Sequence, residues 1–307
     1  MAVSRLLAIA AVQREPVPAG SNRWERVAAE VREVCRRFPA TQLVVLPEYH
    51  AHLLASANVP YPEHMEAVAE PIPGPGSTAM AALARELRIW LIPGTQYERG
   101  ADGHLYNTAV VASPAGEIVA TYRKCFPWRP FETTSPGTTF TVFDLPDVGR
   151  VGLSICYDVW FPEVARHLAW LGAEIIIQPT CTTTSDREQE LVLARATAIV
   201  NQLYVVSVNT AMPPGTGHSI IVDPEGHVRQ EAGEGPLVMT DVLDLAATAH
   251  IRERGTCGVD RVWSHFRVGD PDLPLPLYGG RIQPEHWAPR RFGDTKAAER
   301  SHEHRTG

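Results

Sequence analysis

The sequence predicts an α/β protein in which a mixed sheet is packed by helices. Apolar runs of strand length alternate with segments of helical period along most of the 307 residues. Hairpin signals share the chain with strand–helix–strand units, so parallel and antiparallel pairings belong to one architecture. Hydrophobic residues make up 44% of the chain and charged ones 21%. That is enough for a large buried core, and it excludes wholesale disorder or a small disulfide-stapled scaffold.

Leu6–Val12 reads as a buried strand rather than a leader peptide, because Gln13, Arg14 and Glu15 follow without a small-residue cleavage pattern. Ser21 then caps a helix through Arg37, with Trp24, Val27, Val31 and Val34 as its inward stripe. Gln42–Pro47 is a continuous apolar strand of the kind buried on both faces. Gly74 to Ser77 form a turn and cap for a helix over Ala79–Leu87, and Ile89–Pro93 is the next strand. Leu105–Ala112 and Glu117–Tyr122 flank Ser113-Pro114-Ala115-Gly116 as a hairpin.

The second half repeats the style. Phe140–Leu145 and Val151–Cys156 are strands, Pro162–Leu171 a helix, Glu174–Pro179 a strand, Glu188–Asn201 a helix and Tyr204–Asn209 a strand. Ser219–Val222 and His227–Gln230 pair across Asp223-Pro224-Glu225-Gly226, Leu237–Leu245 is the last strand, and a helix lies near Ala246–Val262. From about Trp263 the composition turns to Pro, Gly and charge. The chain therefore divides into a domain over residues 1–262 and an extension over 263–307 that packs on a partner subunit or is partly disordered.

Composition narrows the partners. Lys and Arg total 28 against 35 Asp and Glu, a net charge of −7, which disfavours a nucleic-acid binder. No apolar stretch is long enough to cross a bilayer, so no membrane partner is expected. Five cysteines without a CxxC pair exclude a disulfide framework or zinc ribbon and fit a reducing, cytoplasmic setting.

Three segments deliver reactive side chains at or just beyond strand ends, where open α/β sheets gather their sites. In Leu46-Pro47-Glu48-Tyr49-His50 a carboxylate leaves a buried strand, and desolvation would raise its pKa toward that of a general base. In the run from Thr121 to Glu132, Lys124 precedes a stiff loop of aromatics and prolines and could steady an oxyanion. Glu132 follows eight residues later and could add a second carboxylate. In Val151 to Glu163 a small-and-apolar strand delivers Cys156 at a sharp turn into a helix, with Pro162 suited to its first turn. Backbone N–H groups at such a turn can bind an oxyanion and lower a thiol pKa. Taken singly, each has a plain structural reading: a surface glutamate, a solvated lysine, a buried thiol.

Together they decide. Glu48, Lys124 and Cys156 in that order, with Cys156-Tyr157-Asp158-x-x-Phe161-Pro162-Glu163 as the most specific run, resemble the carbon–nitrogen hydrolase (nitrilase) superfamily. Ala194-Arg195-Ala196-x-Ala198-x-x-Asn201-Gln202-x-Tyr204-Val205, Gly217-His218-Ser219-x-Ile221-Val222-Asp223-Pro224-x-Gly226 and Glu231-Ala232-Gly233-Glu234-Gly235 continue the likeness, which spans about Leu6 to Val262. The resemblance implies a four-layer α–β–β–α sandwich with mixed sheets, no metal or other cofactor, and a homodimer or larger homo-oligomer. Carried across by motif, Cys156 is the nucleophile, Glu48 the general base and Lys124 the stabiliser of the tetrahedral intermediate, with Glu132 as the additional pocket glutamate. The spacing from Lys124 to Glu132 is most similar to aliphatic amidases and formamidases. Trp160 stands where many members carry Arg, and the arginine clamp that can hold N-carbamoyl amino acids after the nucleophile is missing.

The expected activity is thiol-dependent hydrolysis of a small-molecule amide through a Cys thioester. Nitrile or N-carbamoyl hydrolysis and amide-forming acyl transfer are alternatives on the same three residues, and a catalytically silent dimeric binding protein is the alternative from another class. Trp128, Tyr157, Trp160 and Cys181 are the further candidates for the substrate pocket, the rings having core packing as their plain reading.

Overall fold

The computed structural model describes residues 4–17, 20, 22–52, 61–282 and 292. In chain order the elements are β1 (Leu6–Gln13), α1 (Arg23–Arg37), β2 (Leu43–Val45), α2 (Tyr61–Val68), α3 (Pro75–Leu87), β3 (Trp90–Ile92), β4 (Thr95–Arg99), β5 (Leu105–Ala112) and β6 (Ile118–Arg123). There follow β7 (Val142–Leu145), β8 (Gly149–Leu153), a 3-10 turn (Cys156–Trp160), α4 (Pro162–Trp170), β9 (Ile175–Pro179), α5 (Arg187–Asn201), β10 (Tyr204–Val208), β11 (Ile220–Val222), β12 (Val228–Glu231), β13 (Leu237–Asp244) and α6 (Ala246–Arg254).

The strands named so far form two mixed sheets, and Leu273–Leu275 pairs antiparallel with Gly280–Ile282 in a separate two-stranded one. Of the two mixed sheets, one runs β13-β1-β2-β3-β5-β4 with β6 also on β5, the other β12-β11-β10-β9-β8-β7. Alternation along each strand builds the layers. In β1, Leu7, Ile9 and Ala11 face the second sheet and join Val151, Leu153, Ile175, Ile177 and Val206 in a central core. Ala10 and Val12 face the other way, packing with Val27, Val31 and Val34 of α1 and Met80, Leu83 and Ala84 of α3. On the far side, Ile176, Val205, Ile220 and Val222 pack under Val164 and Leu168 of α4 and Ala194 and Ala198 of α5. Helix, sheet, sheet, helix is the result, the sandwich that the family resemblance implies. Among the described residues no helix is long and apolar enough to cross a membrane.

Differences in detail have local causes. Asn22 occupies the cap of α1, while Ser21 lies outside the described residues. Helix α3 begins four residues before the predicted Ala79, because Pro75 fits the first turn and Ser77 Oγ accepts the Gly74 N–H at 2.9 Å. The predicted helix over 246–262 is interrupted: α6 stops at Arg254 before Gly255 at φ +75°. The chain then turns into a short helix, Val262–His265, whose Trp263 is buried in the third core and donates its indole N–H to Asn201 O. Strand β4 and helix α2 were not foreseen, since β4 (Thr95–Arg99) is polar in sequence although four of its five residues are buried.

Gln13 ties the sheets together. Its amide is buried at the end of β1, donates to Gly233 O (2.7 Å) and Gly235 O (2.6 Å), and accepts from Ser219 N and Oγ at 2.9 and 2.8 Å. Gln13→Leu removes all four bonds; Gly233 O keeps the His218 N–H and Ser219 Oγ keeps Asn209, but Ser219 N and Gly235 O lose these partners, and we expect a loss of about 2–4 kcal/mol in urea unfolding. A loss below ~0.5 kcal/mol would refute this account of the inter-sheet link.

Candidate active site

Glu48 leaves β2 at its carboxyl end. Gly94 makes room for that exit: it sits at φ +80°, and a Cβ there would fall 1.9 Å from Pro47 O. Glu48 N donates to Thr180 O at 3.3 Å and Tyr49 N to Thr95 Oγ1 at 3.0 Å. Lys124 leaves β6, where its N–H donates to Asn107 O at 2.9 Å. Cys156 follows β8 as the first residue of the 3-10 turn, held at φ +46°, a left-handed conformation uncommon for a side-chain-bearing residue. The first bond of that turn runs from Asp158 N to Ile155 O, so the helical ladder leaves the N–H groups of Cys156 and Tyr157 unused.

Three heads from separate segments meet in one buried cluster. Lys124 Nζ lies 3.0 Å from Glu48 Oε1 and 2.6 Å from Glu132 Oε2, with all three side chains nearly sealed from solvent. The Cys156 thiol and the Glu48 carboxylate are close enough for each to shift the other's proton affinity. Asn107 Nδ2 donates to Glu48 (2.7 Å) and Glu132 (3.2 Å). Glu132 also accepts from Tyr49 OH (2.9 Å) and Trp128 N (2.6 Å). Behind the sulfur, Thr182 Oγ1 lies 4.0 Å from Sγ and donates to Glu190, which pairs with Arg187 at 3.0 Å.

Burial raises the Glu48 carboxyl above its ordinary range, with the neighbouring Glu132 adding to the rise and Lys124 opposing it. Burial works against the Lys124 charge, but Glu48 and Glu132 outweigh it and hold the ammonium protonated well above the usual lysine range. Burial likewise opposes the Glu132 charge, and Lys124 with the Trp128 and Tyr49 donors wins, leaving that carboxyl below the ordinary range. The expectation of a lowered thiol pKa is corrected. Burial first, then the Glu48 charge, push the Cys156 thiol well above its ordinary value, and turn N–H groups do not offset them. The resting sulfur is therefore a thiol beside a base, not a stored thiolate.

The remaining candidates surround this cluster. Cys181 follows β9, which pairs in parallel with β8. Burial and Glu48 push its thiol up to about 12. Trp128 packs its ring 4.4 Å from that of the exposed Phe131. The Tyr157 ring lies 6.1 Å from Trp160 and 5.6 Å from Phe161. Trp160 Nε1 is buried with no partner among the described residues. Asn107, Tyr49, Thr182 and Glu190 escaped the sequence reading. A polar Asn inside the apolar run LYNTAVVA was the available signal for the first of them. Among the described residues, no group of three His, Cys, Asp or Glu side chains is arranged to hold a metal ion.

A four-layer sandwich that buries a thiol beside a paired carboxylate and ammonium defines a cysteine-dependent hydrolase of amide carbon–nitrogen bonds. The family profile for Carbon-nitrogen hydrolase matches residues 8–253, and the chain belongs to that family, within the nitrilase superfamily. It is 34% identical over 255 residues to omega-amidase NIT2-A of Xenopus laevis, covering 77% of this chain and 88% of that protein. It is 32% identical over 272 residues to deaminated glutathione amidase of Bos taurus, covering 82% and 80%. Among solved structures it is similar to Saccharomyces cerevisiae Nit3, a member of branch 10 of the nitrilase superfamily, with a TM-score of 0.71, 30% identity and coverage of 82% and 94%.

Proposed function

We propose that Glu48, Lys124 and Cys156 hydrolyse a small, neutral amide through a thioester on Cys156. The observation that carries this reading is the shared carboxylate: Glu48 meets the thiol on one side and the ammonium on the other. Glu48 takes the thiol proton as Sγ attacks the carbonyl carbon, and its raised basicity suits that step. Lys124 and the first-turn N–H groups steady the oxyanion. Collapse of the adduct breaks the C–N bond, and ammonia leaves with the proton from Glu48. Water then gives a proton to the same carboxylate, attacks the thioester, and releases the acid and the thiol.

Glu132 keeps the ammonium charged and aimed. A neutral substrate is favoured because the cations that the described residues tie into this cluster are taken, Lys124 by Glu48 and Glu132, Arg187 by Glu190. The half-buried Tyr157 and Trp160 beside the nucleophile suit an apolar acyl group. Homo-oligomerisation is part of the proposal. The exposed apolar residues of α5 (Val192, Ile199 and Val200) support it.

The test is turnover of simple amides graded by acyl length, read as ammonia and acid, with intact mass used to find the acyl-enzyme. We expect an adduct on Cys156 that is absent in Cys156→Ala. Glu48 must be ionised to accept the proton, so activity falls as pH drops through its folded pKa, and the acid limb lies above the ordinary glutamate range. Labelling of Cys156→Ala as fast as wild type, or turnover of nitriles but not amides, would overturn the reading.

A further inference from the structure

We propose that Asp158 is a positioning residue that sets Lys124 against Cys156. The proposal rests on the reading above, in which both groups act on one carbonyl. Asp158 is wholly buried. Its Oδ2 accepts the Ile155 N–H at 2.9 Å and the Tyr122 hydroxyl at 2.8 Å, and its Oδ1 accepts the Phe126 N–H at 2.9 Å. Ile155 immediately precedes Cys156. Tyr122 and Phe126 lie two residues before and two after Lys124. One carboxyl group therefore brackets the ammonium from both sides and grips the backbone at the nucleophile.

The two segments come from different sheets, since Tyr122 belongs to β6 and the Ile155–Cys156 turn follows β8. The hydrogen bond from Glu48 N to Thr180 O also crosses between sheets there, but it seats the base rather than the ammonium. Asp158 also steadies strain. The left-handed Cys156 persists only if its surroundings over-determine it, and the turn is pinned reciprocally by Ile155 N–H to Asp158 Oδ2 and Asp158 N–H to Ile155 O.

Stability alone does not call for an acid here. Burial pushes the Asp158 carboxyl up to about 6, against the pull of Lys124 and the three donors. Among the described residues no cation is paired with it, and well-packed apolar side chains are a less costly way to fill such a space. What an apolar side chain cannot do is accept bonds from two catalytic segments at once.

The chemistry of the amide makes Asp158→Asn selective. Keeping oxygen toward Ile155 N–H and Tyr122 OH turns the new NH2 against the Phe126 N–H, so the turn holds while the lysine loop is pushed away. On any amide that wild type hydrolyses, we expect kcat to fall about 100-fold, the order that a misplacement near 1 Å costs, with KM changed less than about threefold.

The second readout is alkylation of Cys156 by iodoacetamide, followed by peptide mass. That displacement uses the thiol and its base but builds no oxyanion, so its rate should stay within about threefold of wild type. Retained kcat overturns the proposal. So does an alkylation rate that shifts as far as kcat, because it would mean the turn itself has come apart. If Asp158→Asn does not fold, Tyr122→Phe decides. It removes one donor of three, and kcat should drop about fivefold with alkylation unchanged; an unaltered kcat overturns the proposal there too. Failure of the underlying functional reading shows separately, as wild type that turns over no amide, and removes this inference with it.

Discussion

Replacing Lys124 by alanine is expected to lower kcat by about 1,000-fold, in line with loss of a single oxyanion donor, and to cost about 3–5 kcal/mol of stability. The second effect follows from what is left behind. Lys124 is the cation between Glu48 at 3.0 Å and Glu132 at 2.6 Å. Without it, the two buried carboxyls keep the neutral donors Asn107, Tyr49 and Trp128 N–H, and no cation among the described residues is paired with them.

The pH dependence gives the sign. In wild type Glu132 sits below its ordinary range, so it stabilises the fold above its unfolded pKa, and that contribution is lost as pH falls through the folded value. In the variant both carboxyls rise above their unfolded values, because burial and mutual repulsion are then opposed by neutral donors alone. Protonation favours the folded variant, and its penalty shrinks as pH falls. Urea unfolding of both proteins at pH 8 and near pH 5 should therefore show a gap that narrows in acid. A gap of constant size, or a kcat within tenfold of wild type, would contradict the assigned electrostatics.

How much of this was legible beforehand depends on the range of the interaction. The strands were readable because a strand buried on both faces, such as IIIQP in β9, needs continuous apolar sequence. Glu48 and Cys156 were readable because each follows such a run, and Lys124 because it ends a hairpin strand, each within its own short pattern. What sequence could not carry was the sign of the thiol shift. Turn N–H groups argue for a lowered pKa, whereas the Glu48 charge that dominates with burial arrives from 108 positions away in numbering. Asn107 and Glu190 are of the same kind. An Asn in a strand or a Glu on a helix becomes a site residue only when the fold brings a second sheet over it. Strand β4 was missed for a related reason, since Thr95, Gln96 and Glu98 are buried by tertiary contacts that local polarity does not announce.

Cys156 offers a test in which activity and stability move apart. Cys156→Ala should reduce turnover about 10,000-fold or more, because the nucleophile and its base act as one unit and neither works alone. Its fold should survive, since alanine keeps the backbone and only a sulfur is lost. Cys156→Gly should be equally inactive yet more stable than Cys156→Ala by about 1 kcal/mol, because φ +46° strains alanine and not glycine. The two variants lack the same thiol and its interaction with Glu48, so their difference isolates the backbone. The turn that offers Sγ to the carbonyl would then be held in place against its own preference, the cost met by the Asp158 contacts on either side. An alanine variant as stable as the glycine variant would show that position 156 stores no strain, and the exposed N–H groups of the turn would need another explanation.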